Sequence, residues 1–387
     1  MNSSDQCDEH YQLYGPQVSY YTAKVRSYLI YKGLPFIQIP VSEKIADEVI
    51  KPATGGWRVV PVVRTPQGEC IQDSSIILDE LESVHKDRSI TPPGLKQQVV
   101  SSLFELLGDD WLVYPAMHYR WNFKRLHLLY ILNAFGNNRQ PDWPKAIRWL
   151  GGIKPAFKFG IVPRLMLGIN KSNIPALEAW TLEFLDWLDD HFSRHNYLLG
   201  GRPCYGDFSL YGPLHAHLAL DPYPRKHLIR PRQHLHAWLE RMGATPQHIG
   251  EWLPGDDIPE TLVPILQSQC RDQLHHIHEV IDKTAHWISQ HPHAETLPRF
   301  IGQVDYRLNG SEGKRLCTPY SQWMYERVLE PIETADQEQL HVLAGWLNTK
   351  NIRFEPMQPD YPLVFQRSKL WRRDRLDQPG SRRQYGR

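Results

Sequence analysis

Along the first part of the chain the hydrophobic pattern switches repeatedly between a period of two and a period near 3.6. Tyr11-Gln12-Leu13-Tyr14 reads as a short strand that stops at Gly15-Pro16. Ser19 then opens a helix with Tyr21, Val25, Tyr28 and Leu29 on one face, ended by Gly33-Leu34-Pro35. Phe36 to Ile39 is a second strand, Ser42 caps a short helix running to Val49, and residues 51–56 form a loop. Arg58 to Arg64 has the apolar content of a buried strand but carries Pro61 inside it. Proline cannot donate to a ladder, so it belongs at the start of a strand or in a cis peptide bond, and a cis Val60–Pro61 bond is expected. A Pro66-Gln67-Gly68 turn, a strand ending at Gln72 and a helix from Ser74 to about Val84 complete a βαβαββα order. This order predicts a small mixed sheet flanked by helices.

Beyond it the pattern turns helical. Residues 87–94 have linker composition. A helix runs from Leu95 to about Tyr130 with a break near Pro115, and a long amphipathic helix opens at Asn173-Ile174-Pro175. Helices follow near 205–219 and 231–242. Residues 136–172 are rich in Gly, Pro and Trp with no clean period, and read as an insertion. The division expected is a tail (1–9), an α/β domain (10–86), the linker, a helical domain (95–245), a mostly helical extension (246–366) and a basic, disordered tail (367–387).

A formal net charge of +1 gives no overall pull toward nucleic acid or membrane, and neither is expected as a partner. Five cysteines without a CxxC pair fit free thiols in a reducing cytoplasm. No apolar run reaches bilayer length.

Three local features carry chemistry. The helix opening at Ser19 presents unpaired backbone N–H groups that favour a negative charge. Val60, before Pro61, can pair its backbone with an extended peptide as an added strand does. Asp73 can accept from an ammonium, while Ser74 and nearby N–H groups can hold a carboxylate at another helix start. Together they call for a small peptide with an anionic centre near Ser19.

These residues resemble a known family. Leu13-Tyr14-Gly15, Ser19 to Arg26, Val60-Pro61-Val62-Val63 and Asp73 to Ile77 are similar to the N-terminal, thioredoxin-like domain of cytosolic glutathione transferases. Leu199 to Asp207 is similar to that family's helical-domain signature. The resemblance spans roughly residues 10–242 and implies an α/β thioredoxin-like domain followed by an all-α domain, here with a further extension. It implies glutathione as co-substrate, a homodimer, a role in detoxification and no metal. Residue by residue, Ser19 corresponds to the thiolate-stabilising hydroxyl of serine-type members, with Tyr20 the best alternative donor. Val60 and Pro61 correspond to the cysteinyl ledge, and Asp73 and Ser74 to the pair that holds the γ-glutamyl end. Lys51 stands in the Asn-Pro position, and Asp207 matches a structural aspartate of a helix-capping box. The chain departs from the pattern at Val59, where a cation is common, at Tyr20, where a proline is frequent, and at Cys204 in the capping box.

The resulting expectation is transfer of glutathione thiolate to a small apolar electrophile. A free thiol of pKa about 8.5 must drop by roughly two units, about 2.7 kcal/mol, to be mostly ionised at neutral pH. The expected electrophile pocket is lined by Trp111, Tyr114, His118 and Trp121; core packing is the competing reading of each. The other function class is a non-catalytic binding module of the same fold, which applies if the extension or the insertion fills the pocket. The His275-His276-Ile277-His278 run matches no zinc spacing.

Overall fold

A computed structural model describes residues 10–376. The expected tail over 1–9 and the end of the expected basic tail, 377–387, lie outside the described residues.

Strands β1 (Tyr11–Tyr14), β2 (Phe36–Ile39), β3 (Val62–Arg64) and β4 (Cys70–Gln72) form one sheet in the order β2-β1-β3-β4. β1 runs parallel to β2 and antiparallel to β3, and β3 is antiparallel to β4. Helix α1 (Tyr20–Lys32) starts at Ser19 and stops at Gly33, whose φ of 69° suits a residue without a Cβ. Helix α2 (Ser74–Val84) starts at Asp73. The expected thioredoxin-like arrangement is therefore present. Pro61 stands just outside β3, where the ladder asks nothing of its missing N–H, and the Val60–Pro61 bond is cis.

The helical part holds α3 (Leu95–Leu106), α4 (Val113–Asn122), α5 (Leu128–Arg139), α6 (Ile153–Met166), α7 (Ile174–Arg194), α8 (Tyr205–Pro213) and α9 (Gln233–Met242). The break between α3 and α4 comes at residues 107–112, so Pro115 falls in the first turn of α4, where it removes no helical hydrogen bond. The segment without a clean period, 136–172, holds the end of α5 and all of α6. Its glycines serve close packing more than turning: a Cβ on Gly136 would lie 1.9 Å from the Arg148 carbonyl oxygen, and one on Gly152 would lie 2.1 Å from that of Leu132.

The extension adds α10 (His275–Gln290), α11 (Pro319–Glu333) and α12 (Gln337–Thr349). It also carries the strands β5 (Thr296–Leu297), β6 (Gln303–Leu308), β7 (Ser311–Leu316), β8 (Leu363–Gln366) and β9 (Lys369–Arg372). β6 and β7 pair as a hairpin, and β5, β9 and β8 make a small antiparallel sheet. The tail expected to be disordered from residue 367 is thus structured through β9. Its apolar residues Leu370 and Trp371 take part in strand pairing, which the basic composition around them obscures.

Most of the core is continuous across all three parts, because α8 packs on both α1 and α3 and α11 packs on α3. Charges are buried at this junction. Lys24 on α1 is fully buried, and its Nζ donates to Ser75 Oγ (2.9 Å), Glu105 Oε1 (3.0 Å) and Asp109 Oδ2 (2.6 Å). Arg327 of α11 reaches the same Glu105 and also Asp79 of α2 (2.6 Å). Arg315 of β7 pairs with buried Asp110 at 3.3 Å. One ionic network therefore ties the sheet domain, the helical domain and the extension together.

Candidate active site

The beginning of α1 is held by Ser19, whose Oγ accepts from the Thr22 N–H (3.3 Å) and from Thr22 Oγ1 (2.9 Å). A hydroxyl that accepts twice still has its own proton to donate. Gly15 is required beside it: a Cβ there would come within 2.2 Å of Thr22 Oγ1. At the start of α2, Asp73 has a φ of 84°, and its Oδ1 accepts from the N–H groups of Ser75 (2.9 Å) and Ile76 (3.5 Å). Its other oxygen, Oδ2, accepts from the Tyr320 hydroxyl at 2.7 Å. Burial pushes the Asp73 carboxyl above its ordinary range; the Tyr320 hydroxyl, the Lys24 ammonium and the capping N–H groups pull against that shift.

Val60, Pro61, Asp73 and Ser74 line a single cavity of about 830 Å³. Tyr21 and Trp57 stand on the same wall. The extension supplies the opposite side through Arg299, Tyr320, Phe365 and Lys369, and the insertion adds Phe159 and Met166 from α6. The Arg299 guanidinium lies 4.8 Å from the centre of the Trp57 ring, so the extension closes directly over the loop before β3.

Several expected site residues stand elsewhere. Lys51 is half exposed and pairs with Asp47 at 2.7 Å, without lining the cavity. Tyr20, the alternative hydroxyl, is buried between domains and donates to the Gly108 carbonyl. Ser19 is half-buried and does not line the cavity, whereas Tyr21 does, with its hydroxyl donating to the Asp109 carbonyl (2.9 Å).

The four residues expected to line the electrophile pocket are core residues. Trp111 and Tyr114 are 1% exposed, with Arg315 over the Tyr114 ring at 5.3 Å and His276 beside Trp111. His118 is 1% exposed and bonds Glu178 at 2.8 Å, and burial pushes its pKa down. Trp121 packs with Ile131, Leu132 and Ala156. The physical reason is coverage: the extension and the insertion seal the helix face that would otherwise border a cleft.

Asp207 accepts from the N–H groups of Cys204 (3.0 Å) and Leu198 (3.1 Å) and from Trp238 Nε1 (3.1 Å), completing a capping box with Cys204. Burial raises its pKa to about 6. Among the described residues, no group of three or more His, Cys, Asp or Glu is placed to hold a metal ion. Sequence reasoning missed Tyr320, Arg299, Lys369, Trp57 and the buried Lys24–Glu105–Arg327 network. Tyr320 and Asp73 stand 247 positions apart, beyond the reach of any local pattern.

The family model of the glutathione S-transferase N-terminal domain matches residues 13–89, and that of the C-terminal domain matches residues 181–241. Residues 13–89 and 181–241 thus carry the two domains of the glutathione S-transferase superfamily. Among solved structures, the chain is similar to a glutathione S-transferase from Rhodospirillum rubrum F11, at 16% identity over 65% of this chain and 96% of that one, with a TM-score of 0.35. It is also similar to a Methylobacterium radiotolerans glutathione S-transferase in complex with glutathione sulfonate, at 17% identity over 63% and 99% and a TM-score of 0.35. A third is the beta-etherase LigF from Sphingobium sp. strain SYK-6, at 16% identity over 61% and 96% and a TM-score of 0.42. No curated protein matches the chain. In this chain the cavity beside Val60–Pro61 and Asp73–Ser74 is walled on one side by the protein's own extension.

Proposed function

We propose that the chain binds glutathione in the cavity at Val60–Pro61 and Asp73–Ser74 and joins its thiolate sulfur to a small apolar electrophile, the thiol proton going to solvent and a halide, where present, leaving the electrophile. The observation that carries the reading is the convergence of these four residues on one cavity. Its volume of about 830 Å³ falls within the roughly 300–1,000 Å³ typical of small-molecule sites. Asp73 takes the γ-glutamyl ammonium and Ser74 the adjoining carboxylate. Val60 pairs with the cysteinyl backbone. Arg299 and Lys369 take the glycyl carboxylate, a task for which neither Val59 nor Lys51 is suited: one is apolar and the other is committed to Asp47. Ser19 donates its unused proton to the thiolate. Phe159, Met166, Phe365 and Leu370 give the rest of the cavity an apolar lining suited to the electrophile.

A second reading, binding without turnover, is favoured by two observations: Ser19 does not line the cavity, and the extension and insertion cover the four residues expected to form the electrophile pocket. Calorimetry with glutathione followed by turnover of an aromatic halide separates the two. Heat together with conjugate formation supports transfer, heat without conjugate supports the binding module, and no heat at millimolar glutathione sinks both.

A further inference from the structure

Of the 17 large apolar side chains exposed among the described residues, 11 lie between residues 126 and 165. On α6 they form one ridge: Ile153, Phe157, Ile161 and Leu165 recur every fourth residue and are 46%, 72%, 37% and 73% exposed. A stripe at this spacing stays on one side of a helix, and its ends are about 18 Å apart. Lys154 and Lys158 follow Ile153 and Phe157 by one position and form a second, exposed row along its edge. Phe159 and Met166, seven residues apart, occupy the other side of α6 and line the cavity.

Charge singles out the same segment. Residues 124–171 contain nine Lys or Arg and a single Asp, a net +8, although the whole chain carries only +1. Among the described residues, Lys145, Lys154 and Lys158 have no carboxylate within ion-pair distance, and all three are exposed. An exposed apolar ridge edged by unpaired lysines is the composition of a helix that lies in the headgroup region of a membrane. A second copy of the chain is a poorer occupant, because a two-fold contact would bring two +8 segments face to face.

We propose that the 124–171 segment docks the protein on an anionic lipid surface, with the Ile153–Leu165 ridge of α6 inserted among the headgroups. No helix of the described residues is long and apolar enough to cross a membrane; surface docking needs none. The inference is independent of the proposed chemistry, and it departs from the absence of a membrane partner expected from the chain's overall charge.

The test is co-sedimentation of the full chain with vesicles of phosphatidylcholine containing phosphatidylserine, and with phosphatidylcholine alone. Binding is expected to the first, to weaken with added salt, and to be far lower for the second. A lysine near an anionic surface contributes roughly fivefold to partitioning, so Lys154→Ala with Lys158→Ala lowers it about 25-fold. Phe157→Asp with Leu165→Asp abolishes it. Both positions are exposed, so the double variant keeps the parent's circular-dichroism melt. No co-sedimentation with the phosphatidylserine vesicles at low salt overturns the proposal, as does binding that neither double variant changes. A homodimer in light scattering that Phe157→Asp dissociates, without vesicle binding, assigns the ridge to a second copy instead.

Discussion

Asp73→Asn separates two jobs that one side chain performs. Asp73 caps α2 through Oδ1 and faces the cavity with a charge. Asparagine caps about as well as aspartate and tolerates a positive φ, so the bonds from Ser75 and Ile76 survive the change. Lost are the negative charge toward the γ-glutamyl ammonium and the charge assistance of the Tyr320 bond. A hydrogen bond to a charged group contributes about 1.5–3 kcal/mol, so glutathione affinity falls about 10- to 150-fold. Stability moves the other way. Burial raises the folded pKa of Asp73 above its unfolded value, so ionisation costs stability once the pH exceeds the unfolded pKa. The cost is complete above the folded pKa and absent where both states are protonated. Asn removes it, so the variant is as stable as the parent or more so at neutral pH, and this advantage disappears on acidification to about pH 3. Calorimetry with glutathione and melts across pH read the two effects separately. Unchanged affinity, or a melting temperature several degrees lower at neutral pH, refutes the reasoning.

Three further changes test other parts of the account. Ser19→Ala removes the proposed thiolate donor and lowers kcat about 10- to 150-fold with a smaller change in the KM for glutathione; unchanged stopped-flow turnover assigns thiolate stabilisation to another group. Arg327→Met leaves Asp79 without its ion pair and Glu105 with Lys24 alone, and costs about 3 kcal/mol in urea unfolding at pH 7. Although burial pushes the Glu105 pKa up, Arg327 and Lys24 together hold it down, so this stabilisation exists above the unfolded pKa and fades as pH falls through the folded one; a penalty that persists undiminished at pH 2 argues against the pair. Asp207→Ala strands the Leu198 and Cys204 N–H groups and Trp238 Nε1 in the core, a loss of more than about 3 kcal/mol, and a melting temperature equal to the parent's excludes the capping role.

The features readable in the sequence are those that a few adjacent residues specify. Ser19, Gly33 and Asp73 mark helix ends because the missing hydrogen bonds at those ends select their types. Pro61 marks itself because a strand interior excludes it. Helical spacing put Trp111, Tyr114, His118 and Trp121 on the first long helical stretch, but spacing states nothing about what covers a face. The cover comes from Arg315, His276 and residues of α5 and α6. Nothing local signals the burial of Lys24, because its partners Glu105 and Asp109 lie more than 80 positions away. The insertion concealed its helices because the glycines that let them touch are the same residues that usually mark loops.

The account turns on where glutathione sits. A crystal structure of the complex measures this directly. It is predicted to show the γ-glutamyl ammonium on Asp73, the cysteinyl backbone paired with Val60, and the glycyl carboxylate toward Arg299 and Lys369. Glutathione bound outside this cavity, or a cavity that stays free of it in crystals grown at millimolar glutathione, contradicts the central claim.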